Sequence, residues 1–414
     1  MKLQLTRKKK IFNDPVYGLI NFPHGILYDL IDHPFVQRLR RIKQLGLTDY
    51  VYSGASHSRF NHCLGALHLM TQAIQSLRWK GVEISPEESE AVSIAILLHD
   101  IGHGPFSHAL ERIILPYPHE SISIRVMEIL NAEFEGKLSM AISIFKDEYQ
   151  KKFLHELVAS QLDMDRMDYL NRDSFYSGVV EGMIGYERII KMLNVVNDKL
   201  VVEEKGSLSV EQFLMARRMM YWQVYLHKTV LSVEKMLLTL FKFIHDKGDD
   251  SFYSLMPDSL VYFFKNYKNF LHPDNVTDES IIKFMELDDS EVYIFLKNII
   301  KKKDGIPQLL SRGIIERHVF KIILKNEPIL GEFKNNIRHK IETEMNVDPE
   351  GVDYLLICGS ETNETYTQNV DEIKLLLKNG NVVTLESEKD LHVNLKKTEK
   401  FYLIYPRSIV LNDI

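Results

Sequence analysis

Residues 95–111 read A-I-L-L-H-D-I-G-H-G-P-F-S-H-A-L-E and place a cluster of ionisable side chains directly after an apolar run. The cluster consists of His99, Asp100, His103 and His108. Imidazole and carboxylate groups are the usual ligands of borderline divalent metals, so the cluster favours a metal site. The alternative is a helix end with solvated histidines, which would explain one histidine better than this group.

The composition is that of an ordinary globular protein of 414 residues, 45% hydrophobic and 26% charged, with a net charge of −6. This charge offers no general basic field, so phosphate recognition must be local, and nucleic-acid binding is expected to be weak or absent. Two distant cysteines suggest no disulfide framework. We find neither a signal peptide nor an apolar run of about 18 residues, and we expect a cytoplasmic protein without a membrane partner.

Apolar periodicity and turn residues predict a mainly α fold, a helical bundle with a small α+β module at its C-terminal end. A short hairpin is expected around Gly18. Helices are predicted from Asp32 to near Gly46 and over residues 118–131, 151–172 and 209–246. Strands are predicted at Tyr354–Cys358, Val382–Leu385 and Phe401–Tyr405, with a turn at Asn379-Gly380. The predicted division is an N-terminal hairpin segment (1–30), a helical catalytic core (31–246), a helical extension (247–345) and the α+β module (346–414).

A metal ion at this cluster needs ligands from several helices, because adjacent helical residues project about 100° apart. Arg59 and His62 lie one turn apart, and residues 163–168 offer carboxylates at one-turn spacing. The set His62, His99, Asp100 and Asp165 would supply two imidazoles and two carboxylates and leave coordination positions open. Mn, Fe, Mg, Ni and Zn all suit such ligands, so the identity of the metal stays open.

Five motifs in this order resemble those of the HD-domain deoxynucleoside triphosphate (dNTP) triphosphohydrolases, which include the SAM-and-HD-domain enzyme and the dGTPases. They are QRLRRIKQLG at 37–46, GASHSRFNH at 54–62, HDIGHGPFSH at 99–108, DMDRMDYLNRD at 163–173 and YLHK at 225–228. The resemblance spans roughly residues 10–245. It implies an HD-domain helical bundle and metal-dependent attack at the α-phosphorus, which yields a deoxynucleoside and inorganic triphosphate.

The resemblance also implies roles for individual residues. The metal ligands would be His62, His99, Asp100 and Asp165. Arg59 would contact the α-phosphate, and His108 would be the general acid for the departing 5′-oxygen. His103 and His119 would be the phosphate-side histidines. Glu111 stands where the family often has an aspartate that orients the second motif histidine, so a His108–Glu111 pair is expected. Further cations available to offset the charge of a triphosphate are Arg166, Arg217 and Lys228.

On the sugar side, the family pattern places Gln44 and Asp173 at the 3′-hydroxyl. Tyr225 would exclude a 2′-hydroxyl, Tyr169 would form a wall of the pocket, and Leu45 would touch the base. The alternative is that both tyrosines only pack between helices.

The basic run Arg38–Lys43 has two interpretations. It is either a solvated helix face or part of a regulatory site. In the resembled family, Asp32, Gln37 and Arg40 correspond to a guanine-nucleotide activator site at a subunit contact, with Lys10 nearby. The resemblance therefore implies a GTP or dGTP activator and a homo-oligomer, either a dimer or a tetramer.

The first functional hypothesis is a metal-dependent dNTP triphosphohydrolase. One alternative is an HD phosphohydrolase for another nucleotide phosphoester, which would not need Gln44, Asp173 and Tyr225. The other is a non-catalytic regulator that binds nucleotides or nucleic acid, against which the complete set of metal-ligand candidates argues.

Overall fold

The computed structural model describes residues 10–362, 372–387 and 398–411, and α-helices dominate these residues. The first eleven helices are α1 (Leu27–Asp32), α2 (Pro34–Arg38), α3 (Arg59–Trp79), α4 (Pro86–Leu98), α5 (His119–Glu133), α6 (Ser139–Phe145), α7 (Lys152–Val158), α8 (Met164–Ser177), α9 (Tyr186–Met192), α10 (Ser207–Met220) and α11 (Lys228–Lys247). The later ones are α12 (Asp250–Tyr253), α13 (Asp258–Phe270), α14 (Asp278–Phe284), α15 (Asp289–Lys302), α16 (Ile306–Ile315), α17 (Gly331–Met345) and α18 (Pro349–Val352). No helix among the described residues is long and apolar enough to cross a membrane.

Short strands form three small sheets in the described part of the chain. They are β1 (Ile11–Asp14), β2 (Gly18–Asn21), β3 (Leu193–Val196), β4 (Lys199–Glu203), β5 (Lys321–Lys325), β6 (Ile357–Thr362), β7 (Lys374–Leu376), β8 (Val382–Thr384) and β9 (Glu399–Tyr405). The strand orders are β1-β2, β3-β4-β7-β8 and β5-β9-β6. The mainly α fold with a small sheet-containing C-terminal region is thus confirmed, as are the hairpin around Gly18 and the turn at Asn379-Gly380.

Several local predictions were wrong. The core is not all helical, because β3 and β4 form a hairpin, and β7 pairs with β4 in parallel. The stretch 247–345 contains helices α12 to α17, in keeping with its mostly helical prediction, and the additional strand β5. The strand expected at Tyr354–Cys358 begins only at Ile357, after α18.

Three predicted helices are also shorter than expected, and each ends at a feature that apolar periodicity does not reveal. The helix at 151–172 is split into α7 and α8, where Asp163 caps α8 by accepting a hydrogen bond from the backbone N–H of Arg166. The helix at 209–246 is split by a π-helical turn, Tyr221–Tyr225, and by the cap His227. The helix expected to reach Gly46 ends in a 3₁₀ turn at residues 39–41.

Helices α3, α4 and α8 position the candidate site. Helix α4 begins with a capping box at Ser85, and all residues from 91 to 98 are buried, so it forms the centre of the bundle. It ends at Leu98, directly before the His-Asp pair. Helices α3 and α8 approach closely at Gly65, where a Cβ would lie only 1.9 Å from Asp168 Oδ1. Only glycine fits this contact.

The basic run Arg38–Lys43 is only partly solvated, because Arg40 and Arg41 are exposed but Arg38 is not. Arg38 is completely buried, and its guanidinium donates hydrogen bonds to the backbone carbonyls of Leu287 at 2.6 Å and His103 at 2.8 Å. Arg41 pairs with Asp288 at 2.5 Å. These bonds connect the segment before α15 to the loop after the His-Asp pair.

Candidate active site

Four side chains from three helices converge on one point. His62 lies in the first turn of α3, His99 and Asp100 follow α4, and Asp165 lies in the first turn of α8. The two imidazole Nε2 atoms are 3.2 Å apart, and Asp165 Oδ1 lies 3.0 Å from that of His62 and 3.4 Å from that of His99. Asp100 Oδ1 lies 3.3 Å from His99 Nε2. Two ring nitrogens and two carboxylates therefore face a common centre.

The hydrogen bonds made by the Nδ1 atoms of His62 and His99 show that these ligand candidates fit a divalent metal. His62 Nδ1 donates to Asp168 Oδ2 at 2.7 Å, and His99 Nδ1 donates to the carbonyl of Ile96 at 2.7 Å. With the Nδ1 atoms engaged as donors, both Nε2 atoms are left to direct lone pairs at the centre, as metal-binding histidines do. Sequence reasoning missed the role of Asp168; its place one turn after Asp165 was the available signal.

Asp168 is itself held by a buried ion-pair network. Arg172 donates to both of its oxygens at 2.9 and 3.0 Å and reaches Asp14 of the β1–β2 hairpin at 2.8 Å. All three residues are at most 3% exposed. Because each charge is paired and hydrogen-bonded, the network can remain ionised in the interior and fix the ring of His62.

The electrostatics of the ligand set favour a cation. Burial opposes the charge of Asp165, but His99 and His62 outweigh burial and hold the pKa of this carboxyl well below its usual range. Burial likewise opposes the charge of His62, but hydrogen bonds with Asp165 and Asp168 raise the pKa of the imidazole to about 10. In the metal-free protein these rings take up protons, which a bound cation would displace.

Arg59 connects the ligand set to the loop that follows it. It is 2% exposed, and its guanidinium pairs with Asp100 and donates to Ser107 Oγ at 2.7 Å. A buried cation at this position can face an anionic group of a ligand bound at the centre.

A second group of side chains lies beside Asp100. His103 stacks on His119 with ring centroids 3.7 Å apart, and His103 Nε2 lies 3.4 Å from Asp100 Oδ1. Glu111 accepts hydrogen bonds from Nδ1 of His108 at 2.8 Å and of His119 at 3.0 Å. The expected His108–Glu111 contact is therefore present. Glu111 also holds His119, which the sequence did not suggest.

The protonation of this group follows from its surroundings. Burial and the charge of Arg59 hold the pKa of His103 well below its usual range, so this ring is neutral. Burial opposes the charge of Glu111, but hydrogen bonds from His108 and His119 hold the pKa of Glu111 well below its usual range. The group therefore combines an ionised carboxylate with exchangeable imidazole protons.

The loop before His108 has a strained backbone that a distant residue stabilises. Phe106 and Ser107 have φ angles of 55° and 56°, a left-handed region that non-glycine residues rarely adopt. Asp289 accepts hydrogen bonds from the backbone N–H groups of Phe106 at 2.7 Å and Lys43 at 2.9 Å. Burial raises the pKa of Asp289 to about 6. No local sequence signal reveals this contact.

The residues expected at a sugar lie at the other end of α8. Asp173 Oδ2 accepts a hydrogen bond from the Tyr225 hydroxyl at 2.9 Å, and the rings of Tyr225 and Tyr169 meet edge to face at 6.2 Å. Gln44 is 9% exposed, and its Oε1 has no hydrogen-bond partner among the described residues. Leu45 is half-buried beside it.

The further candidate cations lie on three elements. Arg166 donates to the carbonyl of Ser160 at 2.6 Å, and Arg217 donates to Gln161 Oε1 at 2.8 Å. Lys228 is exposed at the start of α11.

The residues expected at an activator site cluster separately, around α1 and α2. Lys10 pairs with Asp32. Gln37 donates to the carbonyl of Ile31 at 2.6 Å and accepts from Arg40 at 2.8 Å. Asp32 is exposed, with 68% of its side chain open to solvent.

Comparisons with known proteins identify the family of this chain. Residues 59–173 match the HD domain family, and residues 184–258 match the HD associated region. The chain is 30% identical to YwfO of Bacillus subtilis over 97% of this chain and 93% of that protein. It is also 30% identical to a deoxynucleoside triphosphate triphosphohydrolase SAMHD1 homolog of Dictyostelium discoideum, over 81% of this chain and 69% of that one.

A solved structure also relates this chain to the phosphohydrolases. The chain superposes on a phosphohydrolase from Bacteroides thetaiotaomicron with a TM-score of 0.88 and 45% identity, over 97% of this chain and 100% of that one. The matched range 59–173 contains His62, His99, Asp100 and Asp165. The chain therefore belongs to the HD-domain phosphohydrolases and is related to the SAMHD1 dNTP triphosphohydrolases.

Proposed function

We propose that the protein is a metal-dependent dNTP triphosphohydrolase that releases a deoxynucleoside and inorganic triphosphate. The observation that carries this proposal is the order of groups along α8. Asp165, Tyr169 and Asp173 follow at four-residue intervals, so they share one helix face about 12 Å long. The ligand set lies at one end and the Asp173–Tyr225 pair at the other. This order matches the phosphate and sugar of a nucleotide.

A divalent cation held by His62, His99, Asp100 and Asp165 would polarise the α-phosphate and activate water when bound. The protein supplies the other groups. Arg59, paired with Asp100, is suited to a phosphate oxygen.

Leaving-group protonation is assigned to His108. Glu111 accepts a hydrogen bond from its Nδ1 and orients the ring, so that a proton carried on Nε2 can pass to the departing 5′-oxygen. The cations assigned to offset the charge of the triphosphate are Arg166, Arg217 and Lys228. His103 and His119 are assigned to the phosphate side as hydrogen-bonding groups.

Sugar selection is assigned to Gln44 and Asp173 at the 3′-hydroxyl and to Tyr225 against a 2′-hydroxyl, with Tyr169 as a pocket wall and Leu45 at the base. Tyr225→Ala should raise the relative kcat/KM for ribonucleotides. Unchanged rejection of ribonucleotides by this variant would remove that role from Tyr225.

The activator site is assigned to Asp32, Gln37 and Arg40, with Lys10 beside them. GTP or dGTP should stimulate the wild type, and Asp32→Ala should abolish the stimulation without changing basal turnover. Asp278→Ala, which removes another exposed acidic side chain, is the matched control. Light scattering with and without GTP tests the expected dimer or tetramer.

The decisive test is a product assay on metal-supplemented protein, with each dNTP offered alone and with GTP. Deoxynucleoside together with intact triphosphate would support the proposal, and Asp165→Asn should abolish both products. Orthophosphate as the product, or hydrolysis of another nucleotide only, would favour a different phosphoester. Nucleotide binding without any turnover would favour a non-catalytic regulator. Mass spectrometry of the purified protein identifies the bound metal.

A further inference from the structure

His57 contacts both residues assigned to the 3′-hydroxyl. Its Nε2 lies 2.8 Å from Asp173 Oδ1, and its backbone carbonyl accepts a hydrogen bond from the backbone N–H of Gln44 at 2.9 Å. The residue is 4% exposed, and its ring stacks on Tyr176 with centroids 4.4 Å apart and planes 17° apart. The next residue, Ser58, caps α3, so the start of a long helix holds the backbone of His57 in place.

The hydrogen-bond direction follows from the acceptor. A carboxylate oxygen accepts hydrogen bonds, so the proton of this bond lies on Nε2, which donates to Asp173. Nδ1 of His57 is buried and has no partner among the described residues, so the bond to Asp173 is the one that holds the ring.

Asp173 is thereby held from two sides. One oxygen accepts from His57 and the other from the Tyr225 hydroxyl at 2.9 Å, which fixes the rotation of the carboxylate. A carboxylate has about four acceptor positions, so it can still accept a hydroxyl hydrogen. The amide oxygen of Gln44, whose backbone is bonded to His57, is a second buried acceptor without a partner among the described residues.

We propose that His57 is a positioning residue for recognition of the 3′-hydroxyl. Its ring orients the carboxylate of Asp173, and its backbone carbonyl holds the backbone of Gln44. This inference rests on the proposed function. His57 acts through other side chains rather than on the substrate. Selection for a 3′-hydroxyl therefore depends on the Nε2–H group of His57.

The test compares kcat/KM for a dNTP and its 2′,3′-dideoxy analogue in the wild type and in His57→Phe. Phenylalanine keeps a ring against Tyr176 and the backbone bond to Gln44 but removes the donor to Asp173. The dNTP-to-dideoxy ratio should fall by at least about tenfold, with less than about a threefold change for the dideoxy substrate. His57→Gln, whose amide N–H can replace Nε2–H, should restore most of the ratio.

Other outcomes overturn the inference. An equal loss for both substrates would mean that His57 only supports the fold, and an unchanged ratio would mean that its ring does not act on Asp173. If His57→Phe does not fold, His57→Gln and His57→Asn make the same comparison, because the shorter asparagine amide cannot reach Asp173. A wild type that hydrolyses no dNTP would refute the proposed function itself, which is distinct from an unchanged ratio in an active enzyme.

Discussion

Gly65→Ala gives a sharp test because helix propensity and tertiary packing predict opposite signs. In an exposed helix, alanine is more stable than glycine by about 1 kcal/mol. In α3, however, the new Cβ would lie 1.9 Å from Asp168 Oδ1 and 2.2 Å from Arg172 Nη2. Real Cβ atoms stay at least 3.0 Å from such atoms, so α8 or its side chains must move by about 1 Å.

That displacement acts on a buried, fully paired charge network. Disrupting such a pair costs about 3–5 kcal/mol, which exceeds the propensity gain, so we expect a net loss of at least about 2 kcal/mol. Moving Asp168 by 1 Å would also break its 2.7 Å bond to His62. Loss of a hydrogen-bond partner behind a metal ligand typically lowers metal affinity by about 10–100-fold.

Urea unfolding of the metal-free protein measures the first effect, and titration with a competing chelator measures the second. Gly331→Ala is the matched control in α17, because its Cβ would meet no described atom within 4 Å. It should change stability by less than about 1 kcal/mol and leave metal affinity unchanged. Stabilisation by Gly65→Ala, or unaltered metal affinity, would refute the proposed coupling between α3–α8 packing and the metal site.

Three further predictions concern buried or half-buried carboxyl groups. Asp168→Asn should lower metal affinity by about 10–100-fold, while Asp278→Asn on the surface should not; equal affinities in chelator competition would contradict the role of Asp168. Asp289→Ala should destabilise the protein by about 1–3 kcal/mol and speed hydrogen exchange at the Phe106 and Lys43 amides, and unchanged exchange at both would refute the tether. Burial raises the pKa of Glu234 to about 7 from 4.5, so wild-type stability falls as pH rises between these values. Glu234→Gln should therefore be about 1–3 kcal/mol more stable at pH 8 and gain nothing at pH 4, and a gain independent of pH in urea unfolding would count against burial of this charge.

The sequence alone indicated the helical class, the HD resemblance and the set of metal-ligand candidates. The ligand candidates could be found because they stand at helix ends beside apolar runs. A helix end and an apolar run are both local features of a sequence. His99 and Asp100 follow the apolar residues of α4, and His62 follows Arg59 by one turn. The structure brings these side chains to one centre together with Asp165.

Local periodicity was less informative about where elements end. It predicted one helix where Asp163 and His227 cap new ones, and it missed β3 and β4. Capping depends on one side chain and a few backbone N–H groups, which outweigh a continuous apolar pattern. Strand β4 gains a parallel partner from β7, far along the chain, so its surroundings are set by tertiary contacts.

Only the tertiary structure shows which polar and charged side chains are buried and hold distant parts of the chain together. Arg38 looked like part of a solvated run but is buried, with hydrogen bonds to carbonyls as far away as residue 287. Asp289 holds the amide of Phe106 across 183 residues, and His57 reaches Asp173 across 116. A single sequence carries no distance between such residues, and burial makes their hydrogen bonds obligatory only once the helices have packed.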